Sequence, residues 1–485
     1  MGKFDKVKSK LAEAVSSENL IEDTETLAEY VKDPGNPVLI DPKRPVAIVR
    51  PQSLREVRKV VRILNEHRVS VVPRSCGLDY LGGTLPLVED AVILDVSEMK
   101  KIVELCPNQN DGMYILVEPG ATFEELQTEL DKYDVRIPMP ARHPAKATIV
   151  STYANKNPSY RGSWQGLYSY PMLLPTIEVV TADGGVLESG GLFAGMPTIS
   201  GVGMGLDRVP YGNLGTNGVM TKGAAIVELK PKVRKILFAK FDEYEDAAKT
   251  ASRVLRYSST EIGETHVLMN KFSLAHLLSE SQERYDIAKR QLPPWTYALC
   301  ISGPDEEWVE IQEKHLAEIA EEQRIEFVPE ISGAKEAGAE LLDEFVMPSR
   351  VARTYEYAPH NRVEFNTVFS RIPRYDKIIR DVASGKSFER PLGVFILPIE
   401  QGRTCYVDYD LYFDPSDKKE VGVMREMLKE IYPKLIDAGA SFQRSDYPLI
   451  NEKLREKAPG YYAFMDKFKE MLDPSNIFNP GRLFK

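Results

Sequence analysis

The sequence predicts an α+β protein with two principal domains, and three observations carry this prediction. Compact β-α-β units occupy the first half of the chain. A fresh alternation of strands and helices begins after residue 232, in an order typical of an antiparallel sheet with helices on one face. The length of 485 residues allows two or three domains of roughly 100–200 residues each.

The first β-α-β unit begins with a predicted strand at residues 46–49. Ser53 and Glu56 then form a capping box, S-x-x-E, that opens a helix whose apolar positions recur at helical spacing. A second strand at 69–72 leads into a loop rich in glycine and polar residues, and a third strand follows at 91–96. The unit therefore places a loop directly after a strand.

A second unit of the same kind follows along the chain. A strand at 114–117 ends at the Pro119-Gly120 turn, and Thr122 with Glu125 forms another capping box. The Asp183-Gly184 pair predicts a hairpin between strands at 176–181 and 185–188. One more strand is expected at 224–229.

The second half of the chain alternates between the two element types. The predicted strands are 236–241, 295–302, 393–399 and 404–413, and the predicted helices are about 243–257, 305–322, 418–438 and 461–472. This order predicts the antiparallel sheet of the second domain.

Composition excludes several function classes. The formal net charge is −10, so a phosphate backbone would be repelled and a nucleic-acid partner is not expected. The four cysteines are far apart and form no CxxC pair, which predicts neither a metal site nor a disulfide framework. No apolar run approaches the ~20 residues that span a bilayer, and no signal-peptide pattern opens the chain, so no membrane span is expected and a cytoplasmic location is the default.

The loop at residues 73–84 is the most informative segment. It follows a strand and contains three glycines among small polar residues. Such loops can turn consecutive N–H groups toward one point and bind an anion, for which a pyrophosphate is the natural ligand. A flexible connection is the alternative. The spacing matches neither GxGxxG nor GxxxxGK[ST], so neither a nicotinamide fingerprint nor a P-loop is predicted.

Six segments in order resemble the vanillyl-alcohol oxidase / p-cresol methylhydroxylase family of flavoproteins, termed PCMH-type below. They are RPVAIVRPQSLREVRKVVRILNEHRVSVVPRS, the glycine-rich loop with AVILDVSEMKKIVEL, YILVEPGATFEELQTEL, TIEVVTADGGVLESGG, PYGNLGTNGVMTKGAAIVELKP and LDPSNIFNPGRLF. The resemblance covers roughly residues 40–232 and 400–485. It implies a PCMH-type two-subdomain FAD-binding fold with an α+β cap over the substrate.

The resemblance also implies a domain plan and a set of cofactor contacts. The plan is a helical arm at 1–40, a FAD-binding domain at 41–232, a cap at 233–450 and a segment at 451–485 that returns to the FAD domain. The implied FAD-binding residues are Pro73, Arg74, Ser75, Cys76, Gly77, Gly82, Gly83, Pro119, Gly120, Ser151, Thr152, Asn155, Gly218, Val219 and Ile226. For Pro119 and Gly218, simple turn chemistry is the alternative.

The sequence departs from the family in ways that bear on the cofactor. Many relatives attach FAD covalently through a histidine of the phosphate loop, and the loop here has none. Four cap histidines, His266, His276, His315 and His360, could supply such a bond but cannot be aligned, so non-covalent FAD is the expectation. Cys76 is interpreted as a small packed residue rather than a nucleophile.

Two further departures concern the active site. The family often has Gly-Gly where this chain has the run Thr148-Ile149-Val150-Ser151-Thr152, so the local geometry must differ. The phenol-oxidising members carry an aspartate near flavin N5 in a YGD-type segment. Counting back from Asp183, that position falls on Ser169, which is the candidate residue there although a carboxylate base is missing.

Tyr80 and Arg444 are the remaining candidate catalytic residues. Tyr80 lies near the family's phenolate-binding tyrosine, although the loop is two residues longer here. Arg444 falls at the family's Tyr-Arg pair, in which Gln443 or Phe442 replaces the tyrosine. The resemblance therefore predicts that replacing Arg444 by alanine leaves FAD bound but slows flavin reduction.

Two polar clusters of the cap offer further candidates. Arg350, Arg353, Tyr355, Tyr357, His360, Arg362 and Glu364 could line a pocket for an anionic aromatic substrate. The alternative is a strand with a solvated, charged face. In the strand 404–413, period-2 alternation places Tyr406, Asp408, Asp410 and Tyr412 on one face and Tyr409 on the other.

The resemblance leaves three functions open. The first is hydride removal from an aromatic or phenolic alcohol. The second is a 2-hydroxy-acid dehydrogenase of the same fold, although the GEHG-like metal-binding segment and paired cap histidines of those enzymes do not occur here. The third is a flavin-carrying electron-transfer subunit. Expected partners are a small-molecule substrate, an electron-acceptor protein and, because the family is often homo-oligomeric, further copies of the chain.

Overall fold

The computed structural model describes residues 4–165, 174–198, 205–257, 262–332, 334–444 and 446–484. Strands and helices are mixed, and the sheets are antiparallel except around the first β-α-β unit. The α+β class predicted from the sequence is thereby confirmed.

The first sheet contains the strand that leads into the glycine-rich loop. Its spatial order is β1-β2-β4-β3, with bounds Leu20–Ile21 (β1), Ala47–Val49 (β2), Val71–Arg74 (β3) and Val92–Asp95 (β4). The helix Leu54–Glu66 crosses between β2 and β3, and its buried positions Val57, Val60, Val61 and Leu64 form one apolar stripe. Ser53 caps this helix by accepting from the Glu56 amide at 3.4 Å, as the capping box predicts.

The second sheet is antiparallel and contains the predicted hairpin. Its spatial order is β5-β6-β10-β8-β9, with bounds Ile102–Cys106 (β5), Tyr114–Val117 (β6), Thr176–Val180 (β8), Val186–Glu188 (β9) and Val219–Ile226 (β10). The capping box of Thr122 and Glu125 opens the helix Phe123–Leu130. A short pair, Val135–Arg136 (β7) with Glu228–Leu229 (β11), lies before the second half of the chain.

The second domain contains a long antiparallel sheet. Its spatial order is β12-β14-β13-β16-β17-β15, with bounds Val233–Phe241 (β12), Thr265–Asn270 (β13), Trp295–Gly303 (β14), His360–Thr367 (β15), Leu392–Ile399 (β16) and Thr404–Tyr412 (β17). Strand β12, the first strand of this sheet along the chain, begins at Val233.

Helices cover both faces of this sheet, so the prediction of helices on one face is wrong. One face packs against Tyr244–Leu255, Glu306–Gln323, Ile372–Gly385 and Lys418–Asp437. The other packs against Lys271–Leu278, Gln282–Gln291, Ala337–Val346 and the N-terminal domain. The physical reason lies in β16, whose residues are buried at every position and therefore need cover on both sides.

Both ends of the described chain pack into the N-terminal domain. Strand β1 pairs with β2, and Val7 and Leu11 lie in the same core cluster as Ile477 and Phe478. Phe478 also bridges to Val71 at the start of β3. In the part of the chain that the structure describes, the other α-helices are Lys8–Val15, Thr24–Glu29, Ile149–Asn155, Gly162–Gln165, Arg350–Tyr357, Pro448–Lys457 and Pro459–Leu472.

Candidate functional site

A cleft of about 660 Å³ lies where β3, β10 and the helix Ile149–Asn155 meet. Of the residues that the sequence assigns to FAD, those lining the cleft are Pro73, Arg74, Ser75, Gly77, Gly83, Pro119, Ser151, Asn155, Gly218 and Val219. The cleft therefore gathers segments that are far apart in the chain, from Pro73 to Met220.

The glycine-rich loop is preorganised to receive an anion. Within the described residues, none of the backbone N–H groups from Cys76 to Leu81 donates a hydrogen bond. Gly77 has a φ of +69°, which a residue with a side chain adopts only at a cost. A run of N–H groups without acceptors beside a cleft is the arrangement that binds phosphate groups.

The other residues assigned to FAD lie behind the walls of the cleft. Cys76 Sγ is 3.4 Å from Ser151 Oγ, and the Gly82 carbonyl accepts from Arg482. A Cβ atom on Gly120 would lie 2.2 Å from the Ser97 carbonyl oxygen, so this glycine permits close packing of two segments. The Thr152 hydroxyl donates a hydrogen bond to the Ile149 carbonyl of its own helix at 2.8 Å. Ile226 pairs with Tyr114 at the far end of β10.

The β-branched run at 148–152 forms a helix instead of the family's Gly-Gly turn. Thr148 is the N-cap residue, and its hydroxyl accepts from the Ser151 amide at 3.3 Å. The same hydroxyl is 3.1 Å from Ser75 Oγ, which donates to the Pro119 carbonyl at 2.8 Å. Thr148 thus ties the start of this helix to the phosphate loop, so the departure from glycine has a structural cause.

Arg444 is buried at the end of the cleft, and protein groups engage each of its N–H donors. Its Nε bonds Asp446 at 2.7 Å, and one Nη2 hydrogen bonds Asp79 at 2.8 Å. Nη1 donates to the Asn155 carbonyl at 3.0 Å and to Asn157 at 3.2 Å, and Nη2 also lies 2.5 Å from Asp446. This geometry favours a positioning role for Arg444 over the direct catalytic role that the family's Tyr-Arg pair implies.

The cap presents a polar face to the N-terminal domain. Strands β15 and β17 pair so that His360, Arg362, Glu364 and Asn366 lie opposite Tyr412, Asp410, Asp408 and Tyr406. The period-2 prediction for β17 is confirmed, since Tyr409 packs in the apolar core on the opposite face.

Arg142 of the N-terminal domain joins this polar face. Its Nε donates to Asp408 Oδ2 at 3.0 Å and its Nη2 pairs with Asp410. Arg362 donates to the same Asp408 oxygen at 2.7 Å and to the Tyr406 hydroxyl at 2.8 Å. These side chains are almost fully buried, so a buried ionic network joins the cap to the N-terminal domain.

The sequence of cap segment 350–364 allows either the lining of a pocket or a strand with a solvated, charged face. The second interpretation is wrong. Residues Arg350–Tyr357 form a helix, and β15 follows from His360. Tyr355, His360 and Arg362 are buried at 6%, 1% and 1% exposure. The strand is buried because its polar face is opposed by Arg142 rather than by water.

Aromatic rings connect the phosphate loop to this polar face. Tyr80 stacks on Tyr355 with ring centroids 4.4 Å apart, and Tyr355 stacks on His360 at 4.0 Å. His143 meets Tyr80 edge-on at 5.5 Å. Among the described residues, Tyr355 Oη and His143 Nε2 are buried and have no hydrogen-bond partner.

Burial controls the protonation of these groups. It lowers the pKa of His143 to about 3, with Arg362 acting in the same direction, so the imidazole is neutral at neutral pH. Burial raises the pKa of Tyr355 well above its usual range, and Arg362 and Arg142 oppose that rise. The site therefore presents neutral hydrogen-bonding groups within reach of two guanidinium charges.

The sequence did not single out Arg142 or His143, and Ser169 lies outside the described residues. The segment Ala141-Arg142-His143-Pro144 has no helical or strand periodicity that would mark it. Arg142 meets Asp408 across 266 positions of the chain, which local pattern cannot reveal. A basic pair in an otherwise apolar connection was the one available signal.

Two family models match the segments that build this cleft. One, described as a FAD binding domain, matches residues 45–190, and the other, described as the C-terminal domain of FAD linked oxidases, matches residues 450–483. The chain carries the FAD-binding segments of FAD-linked oxidoreductases. Its cofactor is FAD, and it is an oxidoreductase, as the sequence predicts.

Curated PCMH-type relatives match over different lengths. The glycolate oxidase subunit GlcD of Bacillus subtilis is 23% identical over 453 residues, which are 91% of this chain and 89% of that protein. The flavoprotein subunit of the hydroxylating 4-cresol dehydrogenase of Pseudomonas putida is 28% identical over 53% of this chain and 50% of its own length. A cytochrome-dependent D-lactate dehydrogenase of Saccharomyces cerevisiae is 22% identical over 91% and 73%.

Solved structures agree with the PCMH-type fold over the whole chain. p-Cresol methylhydroxylase with substrate bound has a TM-score of 0.85 at 19% identity, covering 100% of this chain and 97% of that one. The 4-ethylphenol oxidase of Gulosibacter chungangensis has a TM-score of 0.84 at 18% identity, covering 99% of this chain and 97% of that one.

Among the helices that the structure describes, none combines the length and the apolar composition that a membrane span requires.

The residues present fit FAD. The backbone N–H groups of the phosphate loop can donate hydrogen bonds to the anionic pyrophosphate. The cleft continues from Pro119 and Gly218 past the loop to Asp79 and Asn155. A Cβ atom on Gly218 would lie 2.7 Å from the Val180 carbonyl oxygen, so only glycine lets β10 approach β8 here. The wall of the cleft beside Val219 depends on that approach.

Proposed function

We propose that this flavoprotein oxidises a phenolic or related aromatic alcohol held between the phosphate loop and the polar face of β15 and β17. The observation that carries the proposal is the meeting of stacked aromatic rings with unpartnered buried polar atoms at this junction. Tyr80 and Tyr355 are buried and stack on each other, while Tyr355 Oη and His143 Nε2 have no partner in the described part of the chain. This combination suits a ring that carries a hydroxyl group.

His143 is proposed to accept a hydrogen bond from the substrate hydroxyl. Its Nδ1 lies 3.3 Å from the Ala141 carbonyl oxygen, so a proton on Nδ1 is satisfied and leaves the Nε2 lone pair free. Because burial keeps the ring neutral, that lone pair persists at neutral pH. The residue can therefore orient the hydroxyl and take part in moving its proton.

Tyr355 and the two guanidinium groups are proposed to stabilise negative charge on the same oxygen. Tyr355 Oη can donate to it, and Arg362 and Arg142 already favour the anionic form of Tyr355 itself against burial. A developing phenolate at this junction would gain from the same charges. When bound, FAD supplies the hydride acceptor, while these residues supply orientation and exclude water.

Arg444, Asp79 and Asp446 are proposed to fix the floor of the site. Their ion pairs join the phosphate loop to the segment before Pro448–Lys457 and to the end of Ile149–Asn155. A loop held in this way keeps its N–H groups in place without reorganising when FAD binds. Arg444 thus acts on the reaction through the loop.

Likeness to structures named for p-cresol and 4-ethylphenol over nearly the whole chain supports the phenolic class. The second candidate is oxidation of a 2-hydroxy acid, which is favoured by relatives named for glycolate and D-lactate that match 91% of the chain. A carboxylate would have to compete with Asp408 and Asp410 for Arg362 and Arg142, whose ion pairs are already formed. This competition favours the phenolic class.

The deciding experiment is anaerobic bleaching of the flavin absorbance. The purified protein is mixed with 4-cresol, 4-hydroxybenzyl alcohol, benzyl alcohol, glycolate and D-lactate in turn. Rapid bleaching by the first two supports the proposal, and bleaching by glycolate or D-lactate alone would replace it by the second candidate. If none bleaches the flavin while a redox protein exchanges electrons with it, the chain is an electron-transfer subunit instead.

The proposal includes non-covalent FAD. The phosphate loop offers Ser75, Cys76 and Asp79 but no histidine, and of the cap histidines His360 lies on the face toward the N-terminal domain. Acid precipitation separates the two cases, because free FAD stays in the supernatant. Yellow colour in the pellet would reject the non-covalent assignment and direct attention to His360.

A further inference from the structure

A short segment before the first core strand packs against the back of the phosphate loop. We call residues 33–38 the strap. Asp33 is 7% exposed, and its carboxylate accepts from the Gly82 amide of the loop at 3.1 Å and from the Gly35 amide at 2.8 Å. One side chain therefore bonds the strap to itself and to the loop.

Gly35 and Tyr80 make the closest backbone contact between the strap and the loop. A Cβ atom built on Gly35 would lie 1.9 Å from the Tyr80 carbonyl oxygen, a distance that no side chain can meet. Tyr80 itself has a φ of +65°, which is unfavourable for a bulky residue. The strap lies against the Tyr80 carbonyl. It therefore hinders Tyr80 from relaxing to a negative φ.

Asn361 of β15 holds the strap from the cap. Its amide nitrogen donates to the Gly35 carbonyl at 2.9 Å and to the Asn36 carbonyl at 2.8 Å, and its oxygen accepts from the Val38 amide at 3.3 Å. Asn361 is 2% exposed and sits between His360 and Arg362, whose side chains face the N-terminal domain. The strap thus connects the loop to the strand that roofs the candidate site.

The loop needs such support because it is thin. Arg74, Gly77 and Leu78 line both the FAD cleft and a groove of about 1300 Å³ on the other side of the loop. Open space therefore lies on both sides of this part of the loop, and the strap supplies a hydrogen bond to the neighbouring Gly82.

We propose that the strap holds the phosphate loop in its FAD-binding conformation from behind, with Asn361 anchoring it to the cap, so that loss of FAD requires the strap to detach. Asp33, Gly35 and Asn361 are then positioning residues for the cofactor. The inference depends on the FAD cofactor and is independent of the substrate class proposed above.

The strap also gives FAD retention a pH dependence. Burial raises the pKa of Asp33 to about 7, and the negative charge of Asp79 acts in the same direction, while Arg74 opposes the rise. Tyr80 and Tyr447 are the other titratable groups that interact electrostatically with Asp33. Because the folded pKa is raised, Asp33 is neutral below that pH and charged above it. The added negative charge would repel the pyrophosphate, so FAD is expected to leave faster as the pH rises through 7.

The test measures FAD release from the holoenzyme after dilution, as the rise in free FAD fluorescence at pH 6 and pH 8.5. Asn361→Ala should release FAD about tenfold faster at both values, since it loses buried hydrogen bonds worth about 1.4 kcal/mol. Asp33→Asn is nearly isosteric and should show equal rates at the two pH values. Asp41→Asn removes an exposed carboxylate that lies just after the strap and pairs with Arg425; it is the matched control and should behave as the wild type.

Each outcome decides the proposal. Wild-type release rates in Asn361→Ala would overturn the anchoring role, and a pH step that survives in Asp33→Asn would overturn the role of that carboxyl. If Asn361→Ala does not fold, as judged by circular dichroism and gel filtration, the Asp33→Asn comparison alone decides. FAD that remains with denatured protein would also overturn the proposal, because retention would then rest on a covalent bond.

Discussion

Replacing Arg444 by methionine tests the positioning role that the structure favours. The substitution keeps much of the side-chain volume but leaves Asp79 and Asp446 buried without their cation. Breaking a buried ion pair from one side typically costs about 3–5 kcal/mol. At about 2–4 °C per kcal/mol in a domain of about 200 residues, the Tm should fall by about 6 °C or more.

The pH dependence of that loss gives a second signature. In the wild type, burial would raise the pKa of Asp79, but Arg444 and the Gly83 amide outweigh it and the pKa ends below its usual value. The charge therefore stabilises the fold above about pH 4, and this contribution is lost on further acidification. In Arg444→Met the Asp79 carboxyl loses its main partner, so its pKa rises and its protonation on acidification should narrow the gap in Tm.

The assay is differential scanning fluorimetry from pH 5 to 8, together with the absorbance of bound flavin. Arg425→Met is the control, because Arg425 forms an exposed pair with Asp41 and should cost at most about 1 kcal/mol. A variant at position 444 with a wild-type Tm, bound FAD and slow flavin reduction would refute this reasoning. It would restore the sequence-based role of Arg444 on the substrate.

Three further predictions concern the cleft and its roof. His143→Phe should keep FAD bound and slow anaerobic flavin reduction by phenols at least tenfold, since the acceptor for the hydroxyl is lost; an unchanged rate removes His143 from the site. Tyr355→Phe should raise the KM for phenols about tenfold with kcat changed less, whereas equal KM values in titrations of both enzymes would contradict the proposed donor. Gly77→Ala should weaken FAD binding at least fivefold, as measured by ultrafiltration. A φ of +69° costs alanine about 1 kcal/mol, and the new Cβ atom would meet the Arg74 side chain. Full FAD content in this variant would argue against phosphate binding by the backbone N–H groups of the loop.

Local pattern predicted the scaffold because each element is encoded nearby. The capping boxes at Ser53 and Thr122 and the Asp183-Gly184 hairpin depend on residues within a few positions of one another. Strand ends deviated by up to five residues: β3 ends only after Arg74, and β10 begins at Val219 instead of the predicted 224. Those bounds depend on partners from elsewhere in the chain.

The candidate site was less predictable because its contacts are distant in sequence. Arg444 gave the expected position in the motif, but its partners Asp79 and Asn155 lie 365 and 289 positions away and alter its role. His143 carried no periodic signal, and its burial arises from the cap. The polar residues of β15 have the pattern of a solvated face, because Arg142, which lies against that face, is far away in the sequence.

The bridge between Phe478 and Val71 has a consequence for biosynthesis. Asn479 donates to the Gly83 carbonyl at 3.1 Å and to the Leu214 carbonyl at 2.7 Å, so it joins two sides of the FAD cleft. Domains usually begin to fold while the chain is still emerging from the ribosome. Here the first sheet can form early, but the pocket stays incomplete until Asn479 has been synthesised and has bonded both sides of the cleft, so cofactor loading must wait for that segment.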